Sequence, residues 1–239
     1  MLSGEKVSKS FGGIQALDNF NFHVNAGEIV GLIGPNGSGK TTLFNVITGV
    51  YKPDSGLILF KGCKINGLRP DIICKMGIAR TFQTPRLFPS LTALENVIVG
   101  MIHGKKELTT KSDVKKEALY YLELVGMSEK KDVPASLLKL SERRKVQLAA
   151  ALATNPEVLL LDEPLAGLSS IEVQSMIKLI EKVQREYNIS VFWIEHIMKA
   201  IMATAQRIIV INNGKKIAEG KPAEVARDEK VIEIYLGAQ

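Results

Sequence analysis

The stretch Gly34-Pro35-Asn36-Gly37-Ser38-Gly39-Lys40-Thr41 fits the pattern G-x-x-x-x-G-K-[ST] at every position. Glycines let the backbone wrap a polyphosphate and turn its N–H groups inward without Cβ clashes. Lys40 adds a full charge for the β- and γ-phosphates, and the Thr41 hydroxyl suits Mg²⁺. The candidate nucleotide-binding residues of this stretch are Gly34, Pro35, Asn36, Gly37, Ser38, Gly39, Lys40, Thr41 and Thr42.

The residues on either side of this loop have the patterns that a phosphate loop requires. Glu28–Ile33 is a short apolar run typical of a buried strand, and Thr42–Thr48 can form a helix with one apolar face. A helix N-terminus offers free N–H groups and a positive dipole end to an anion. The order strand, glycine loop and helix therefore predicts an α/β fold that binds a nucleotide.

Length and composition allow one large α/β domain with a smaller inserted subdomain. The chain has 239 residues, of which 46% are hydrophobic, enough for a packed core. Its net charge of +6 arises from 31 basic and 25 acidic residues that are interspersed, as in Lys105–Glu107, which is typical of solvated helix faces. This balance permits an anionic partner but does not indicate one, so we expect no nucleic acid.

The two cysteines, Cys63 and Cys74, have neither metal-ligand spacing nor an evident redox pairing. Because both lie in or beside apolar runs, we predict buried thiols in a reducing compartment. No segment resembles a cleavable signal, and no run approaches the roughly 20 apolar residues of a membrane span. The sequence therefore predicts a soluble intracellular protein whose membrane role, if any, is peripheral.

The first half of the chain reads as strands followed by helices. Lys6–Val24 alternates as antiparallel strands, and Phe11 at their turn is either a ring that stacks on a base or a core residue. Leu57–Phe60 is a further strand, and Gly77–Gln83 is predicted to be a strand that ends in polar Gln83. From Pro85 to about Ala153 the pattern is helical.

A second chemical centre follows the apolar run Val158–Leu161. A buried strand here would end in two carboxylates, Asp162 and Glu163, on opposite sides. Asp162 would hold Mg²⁺, and Glu163 would orient or deprotonate an attacking water.

The last quarter of the chain repeats this scheme and then closes the fold. The strand Ser190–Ile194 leads to His196, which either touches the γ-phosphate or is a structural residue. Ile208–Gly214 and Lys216–Gly220 predict a hairpin, followed by a closing helix from about Pro222.

With these motifs the chain resembles the ATP-binding cassette (ABC) ATPases of membrane transporters over nearly its full length. It is most similar to one ATP-binding subunit of branched-chain amino acid importers. The stretches that carry this closer likeness are Phe11–Gly13, Gly49–Pro53, Gly77–Gln83, Arg86–Phe88, Ile194–Lys199 and Ile232–Gly237.

The resemblance implies a fold and a division of the chain. The fold is a P-loop NTPase of the ABC ATPase type: a RecA-like α/β core, an antiparallel β subdomain and an inserted helical subdomain. Residues 1–83 and 154–239 would form the core and β subdomain, and approximately 84–153 the helical subdomain.

The resemblance also implies roles for residues. Phe11 would stack on adenine, and Thr41, Gln83 and Asp162 would hold Mg²⁺. Glu163, His196 and Gln83 would be catalytic, with ATP and Mg²⁺ as cofactors.

The implied function is ATP hydrolysis that powers import of a small solute, with branched-chain amino acids as the leading interpretation. The implied partners are transmembrane permease subunits, a second ATP-binding subunit and, indirectly, a solute-binding protein. The implied location is cytoplasmic, on the inner face of the cell membrane. The alternatives are a transporter for urea, amides or a lipid, a soluble ABC-type ATPase acting on ribosomes or DNA, and an ATP-binding regulatory module.

One segment departs from this family. The signature Leu-Ser-Gly-Gly-Gln falls, without a gap, on Leu138-Lys139-Leu140-Ser141-Glu142, or Leu140-Ser141 is its Leu-Ser with the glycines deleted. Either way the glycine pair is missing, and Ser169 replaces an aspartate in the following loop. Because these residues are altered, we predict a competent phosphate loop but a weakened signature. The family works as a head-to-tail dimer, in which each signature contacts the ATP on the other subunit. That favours a heterodimer with a different ATPase, although a homodimer remains possible.

Overall fold

A computed structural model of the chain describes residues 1–104 and 110–236. The charged run Lys105–Glu107 and Gly237 lie outside the described residues. The strands are β1 (Leu2–Phe11), β2 (Ile14–Val24), β3 (Ile29–Ile33), β4 (Ser55–Phe60), β5 (Cys63–Lys64), β6 (Ile78–Arg80), β7 (Val158–Asp162), β8 (Ser190–Ile194), β9 (Arg207–Asn212) and β10 (Lys215–Gly220). The α-helices are α1 (Lys40–Ile47), α2 (Pro70–Met76), α3 (Ala93–Ile102), α4 (Lys111–Leu124), α5 (Leu140–Leu152), α6 (Ser170–Tyr187), α7 (Met198–Thr204), α8 (Pro222–Val225) and α9 (Glu229–Leu236).

The central sheet places the ends of its strands at one edge. Its order is β10-β9-β3-β8-β7-β6, parallel except for the edge strand β10. Every residue of β3, β7 and β8 is buried, as expected for parallel strands covered on both faces. Because β3 pairs with β8 and β8 with β7, the segments after Ile33, Asp162 and Ile194 leave the sheet side by side.

A second, antiparallel sheet of order β2-β1-β4-β5 packs against the core. Aromatic rings make this contact: Phe22 of β2 stacks on Phe192 of β8 with ring centroids 5.7 Å apart, and Phe44 of α1 lies 5.3 Å from Phe192. The β1–β2 hairpin also lies directly on the phosphate loop. Gly39 has φ 109°, and a Cβ there would be only 2.3 Å from the backbone oxygen of Ala16.

Helices α3, α4 and α5 pack together between β6 and β7 in the chain. Gly100 lets α3 cross α5 closely, since a Cβ at this position would be 2.3 Å from the backbone oxygen of Ala150. Thr92 and Glu95 start α3 with a capping box, each side chain binding the other's backbone N–H. The division into 1–83, 84–153 and 154–239 stays a prediction, with these three helices inside the middle range.

Most of the predicted elements are present, with the hairpin of β9 and β10 confirmed, but three predictions were wrong in part. The strand predicted over Gly77–Gln83 covers only Ile78–Arg80, so Gln83 lies in the loop beyond it. The closing helix from Pro222 is interrupted and continues as α9. Cys63 is exposed rather than buried, because it lies on the short edge strand β5, and Cys74 is only partly buried.

Candidate functional site

The phosphate loop connects β3 to α1 and is packed tightly from behind. Gly34 admits no side chain, since a Cβ there would lie 2.0 Å from the backbone oxygen of Ile211 on β9. The Lys40 ammonium is turned back into the loop, where it donates to the backbone oxygens of Gly34 and Pro35, each at 2.8 Å. The lysine is only 5% exposed. The Lys40 ammonium therefore lies underneath the phosphate loop.

The charges around Lys40 suit a phosphate ligand. Burial lowers the pKa of Lys40, while the carboxylates of Glu163 and Asp162 raise it. The Ser38 hydroxyl is buried and has no hydrogen-bond partner among the described residues. A buried polar group without a partner costs free energy, which a ligand oxygen would recover. Together with the exposed Thr41 at the start of α1, these groups fit a polyphosphate.

The Glu163 carboxylate lies between two other predicted site residues. Gln83 Nε2 donates to Glu163 Oε2 at 2.6 Å, and His196 Nε2 is 2.7 Å from Glu163 Oε1. Gln83 comes from the loop after β6, Glu163 follows β7 and His196 follows β8. The structure therefore brings together the three predicted catalytic residues.

The backbone of Glu163 differs from the prediction. The expectation that Asp162 and Glu163 end one strand on opposite sides was wrong, because β7 ends at Asp162. Glu163 has φ 47°, in the left-handed region, although its N–H still donates to the Ile194 oxygen at 3.0 Å. This turn gives the Glu163 side chain a direction that an extended strand would not.

Asp162 is paired with a residue that the sequence did not single out for the site. Arg80 Nη2 donates to Asp162 Oδ2 at 2.6 Å, and both side chains are about 5% exposed or less. Arg80 also donates to Asn45 on α1 and lies over the rings of Phe44 and Phe82. Its only signal was its position three residues before Gln83.

The oxygen donors expected for Mg²⁺ are of the right chemical type. The Thr41 hydroxyl, the Gln83 amide oxygen and a carboxylate oxygen of Asp162 are hard donors, which Mg²⁺ prefers. The bond to Arg80 uses only Oδ2 of Asp162. These three residues therefore fit the ion.

Phe11 lies at the surface, so its interpretation as a core residue was wrong. The ring is 40% exposed at the end of β1. Tyr51 meets it edge to face with ring centroids 5.0 Å apart, and the Lys9 ammonium is 5.4 Å from the Phe11 centroid. Tyr51 was not predicted, because nothing in the sequence links residues 40 positions apart. An exposed ring held by its neighbours is a suitable platform for a base.

The signature segment at the start of α5 is occupied by its own contacts. Hydrogen bonds from Ser141 and Ser169 lower the pKa of Glu172 to about 2. Glu142 accepts from Lys130 Nζ at 2.5 Å. Leu140 packs beside Gly167, where a Cβ would be 3.1 Å from the leucine side chain. The Ser141 hydroxyl is thus engaged within the chain, and Ser169 caps α6 together with Glu172.

A phosphate loop on a parallel sheet, with an acidic strand end beside it and an antiparallel sheet against it, defines a nucleotide-binding cassette. A family profile described as "ABC transporter" matches residues 17–166, and one described as "Branched-chain amino acid ATP-binding cassette transporter" matches residues 215–239. The chain belongs to the ABC transporter ATP-binding proteins, in the branched-chain amino acid (LivG/BraF) family. It is an ABC ATPase cassette that binds adenine nucleotide and forms part of an ABC transporter.

Individual relatives are similar over almost their whole length. The high-affinity branched-chain amino acid transport ATP-binding protein LivG of Escherichia coli K12 is 37% identical, covering 99% of this chain and 98% of LivG. A solved structure of the ADP conformation of MJ1267, an ATP-binding cassette of an ABC transporter, is 34% identical with a TM-score of 0.89, covering 99% of this chain and 98% of MJ1267.

A second solved structure shows a cassette as a dimer. The ATP-binding cassette MJ0796, in a dimeric post-hydrolysis state bound to ADP and Pi, is 31% identical with a TM-score of 0.84. The match covers 93% of this chain and 99% of MJ0796. No helix among residues 1–104 and 110–236 is long and apolar enough to cross a membrane.

Proposed function

We propose that this chain hydrolyses ATP with Mg²⁺ and thereby powers the import of branched-chain amino acids through a membrane permease. The observation that carries the proposal is the Glu163 carboxylate, held between Gln83 and His196 beside the phosphate loop. A carboxylate so placed is suited to accept a proton from water. The names of relatives such as LivG support the solute.

Each candidate binding residue has a distinct task. Gly34 to Thr42 surround the phosphates, with Lys40 as their cation, and Phe11 supports the adenine ring by stacking. Thr41, Gln83 and Asp162 would hold Mg²⁺, which supplies positive charge against the developing charge of the phosphates. Arg80 orients Asp162 through the hydrogen bond from its Nη2 to Oδ2.

Hydrolysis needs a proton acceptor and an orienting group, and the site supplies both. Held by Gln83 and His196, Glu163 either orients the attacking water through a hydrogen bond or accepts its proton as the water oxygen bonds to the γ-phosphorus and the bond to ADP breaks. His196 lies against Glu163, and its side chain is 40% exposed, so a γ-phosphate can reach it. Gln83 lies in an exposed loop, where it connects the metal and the water to the membrane partner.

The altered signature favours a second, different ATP-binding subunit as a partner of this chain. Ser141 is engaged by Glu172, and Leu140 stands where the family has bare glycine backbone, so the segment offers little to a phosphate across a dimer. We therefore favour a heterodimer in which a different ATP-binding subunit supplies a normal signature to this chain's loop. Permease subunits would hold the pair at the cytoplasmic face of the membrane, and a solute-binding protein would act on the other side.

ATP turnover by the complex tests the enzymatic part of the proposal. Hydrolysis should require Mg²⁺ and stop with excess EDTA. Asp162→Asn should raise the Mg²⁺ concentration for half-maximal turnover by about tenfold or more, because a charged metal ligand is lost. Asp18→Asn, on the β1–β2 hairpin, is the matched control. Equal turnover in EDTA would refute the Mg²⁺ requirement.

Uptake into vesicles tests the solute. Vesicles that contain the complete transporter, energised with internal ATP, should accumulate leucine, isoleucine or valine. Uptake of urea or an amide instead would establish a transporter of the same architecture with another solute. Nucleotide binding without turnover in the complete complex would favour the regulatory module, for which the altered signature is the supporting observation.

A further inference from the structure

Arg144, a buried cation on α5, binds the turn that follows β7. It is 6% exposed, and no role in the proposed chemistry accounts for its burial. Its Nη1 donates to the backbone oxygen of Glu163 at 2.8 Å, and its Nη2 donates to the backbone oxygen of Ala166 at 2.5 Å. Two donors of one planar guanidinium therefore hold both ends of the turn 163–166.

Glu195, a buried anion at the end of β8, binds the same turn through an N–H group. It is 2% exposed, and its Oε2 accepts from the Leu165 N–H at 3.3 Å. Its Oε1 accepts from the N–H groups of His196 and Ile197 at 2.9 and 3.4 Å. One carboxylate thus joins the turn after Glu163 to the backbone of His196.

The two side chains complement each other in charge. Burial lowers the pKa of Arg144, and the negative charges of Glu195 and Glu163 oppose that effect. Burial raises the pKa of Glu195, against the hydrogen bonds that it accepts. They form no direct ion pair among the described residues, because the guanidinium binds the carbonyl groups of the turn and the carboxylate binds its N–H.

The backbone at Glu163 explains why such support is needed. A φ of 47° is uncommon for a residue with a side chain and persists only where the surroundings determine it fully. Without outside contacts, the turn would relax toward an extended conformation. The Glu163 carboxylate would then leave its position 2.7 Å from His196.

We propose that Arg144 and Glu195 are positioning residues for ATP hydrolysis, which hold the strained turn 163–166 from opposite sides and so aim the Glu163 carboxylate. The inference rests on the proposed catalytic role of Glu163. It adds that α5, the helix that begins in the signature segment, sets the geometry of this chain's own hydrolytic site.

The test measures three quantities on the assembled complex carrying Arg144→Gln or Glu195→Gln in this chain. These are kcat for ATP, the Kd of a fluorescent ATP analogue, and Tm. A 1 Å displacement of a catalytic group costs up to about 100-fold in rate. We expect kcat to fall about 10- to 100-fold while Kd changes less than about twofold, since neither residue touches the phosphate loop. Arg144→Lys, which keeps the charge, should recover part of kcat.

Exposed residues of the same charge on α6 provide matched controls. Arg185→Gln and Glu186→Gln should leave kcat, Kd and Tm unchanged. In a Glu163→Gln background, Arg144→Gln should lower the residual turnover no further, because both changes act through one carboxylate. Glu195→Gln retains an oxygen that accepts N–H bonds, so it carries the test if Arg144→Gln does not fold.

The outcomes separate this inference from the proposed function. If Glu163→Gln leaves turnover intact, the proposed function fails. If Glu163→Gln abolishes turnover but Arg144→Gln and Glu195→Gln leave kcat unchanged, only the positioning role is overturned. Loss of nucleotide affinity, a lower Tm and a lower kcat together, without recovery in Arg144→Lys, would also overturn the positioning role, in favour of a purely structural one.

Discussion

At the scale of single residues, the site depends on side chains whose partners come from distant parts of the sequence. Glu163 lies between Gln83 and His196, and Asp162 is held by Arg80. Each contact joins segments that only the parallel sheet brings together. The chemistry of the site is therefore a property of strand order as much as of motifs.

Phe11 offers a direct test of nucleotide binding at this scale. Stacking of an aromatic ring on a base contributes about 1–3 kcal/mol, so Phe11→Ala should weaken the affinity for ATP by roughly 5- to 100-fold. Phe11→Tyr should retain most of the affinity because the ring is preserved. Fluorescence titration with ATP provides the measurement, with the exposed Phe88→Ala as the control. An unchanged affinity in Phe11→Ala would remove Phe11 from the adenine site.

The turn between β3 and α1 allows a prediction at the scale of an element. Gly34→Ala would place a Cβ 2.0 Å from the Ile211 oxygen, so the loop must shift away from β9. We expect nucleotide binding to fall by at least about tenfold, since displaced N–H groups no longer converge on the phosphates. Gly62→Ala, in the turn between β4 and β5, controls for general destabilisation: its φ of 79° strains an alanine, but its Cβ meets no atom within 4 Å and it lies outside the phosphate loop. Equal nucleotide affinity in the two variants would contradict this account of the loop.

A partly buried ion network links β9 and β10 to the residue before β3 and gives a pH-dependent prediction. Arg207 on β9 binds Glu28, just before β3, and Glu219 on β10. Although burial opposes the effect, the bond to Arg207 lowers the pKa of Glu28, and bonds to Lys216 and then Arg207 lower the pKa of Glu219, in both cases below the ordinary value of 4.5. The network therefore stabilises the fold fully above pH 4.5 and loses this contribution as the pH falls through the lower folded values.

Urea unfolding of Arg207→Met measures this contribution. At pH 7 the variant should lose between about 1 and 3 kcal/mol of unfolding free energy, because Glu28 remains partly buried without its cation while Glu219 keeps only its bond to Lys216. The difference should shrink as the pH falls below 4.5. Lys215→Met, which breaks an exposed pair with Asp18, should cost less than about 1 kcal/mol. A loss for Arg207→Met that is independent of pH would exclude the network as its cause.

The elements also show what could be predicted from the sequence and what could not. The phosphate loop, the apolar strands β3, β7 and β8 and the acidic strand end have local patterns, so all were predictable. Arg80, Arg144 and Glu195 were missed as site residues because their partners lie 19 to 82 positions away or across the sheet. The left-handed turn at Glu163 was missed because the apolar run before Asp162 predicts a strand that includes both carboxylates at its end.

At the scale of the whole molecule, the question is which of two cassettes supplies the phosphate loop, and which the signature, at each ATP site. This chain has a complete phosphate loop and the proposed catalytic cluster of Gln83, Glu163 and His196, whereas its signature segment has internal contacts with Lys130 and Glu172. We therefore propose an asymmetric pair, in which a site built on this chain's loop is completed by another subunit's signature. The second site, built on the partner's loop, receives only the altered segment Leu138–Glu142.

The most direct test is ATP turnover by the purified pair of ATP-binding subunits. One preparation carries Glu163→Gln in this chain, and another carries the same change at the equivalent glutamate of the partner. Our account predicts that Glu163→Gln in this chain lowers turnover about 100-fold or more, whereas the equivalent change in the partner has little effect. Equal losses from the two changes, or full turnover by this chain alone, would contradict it.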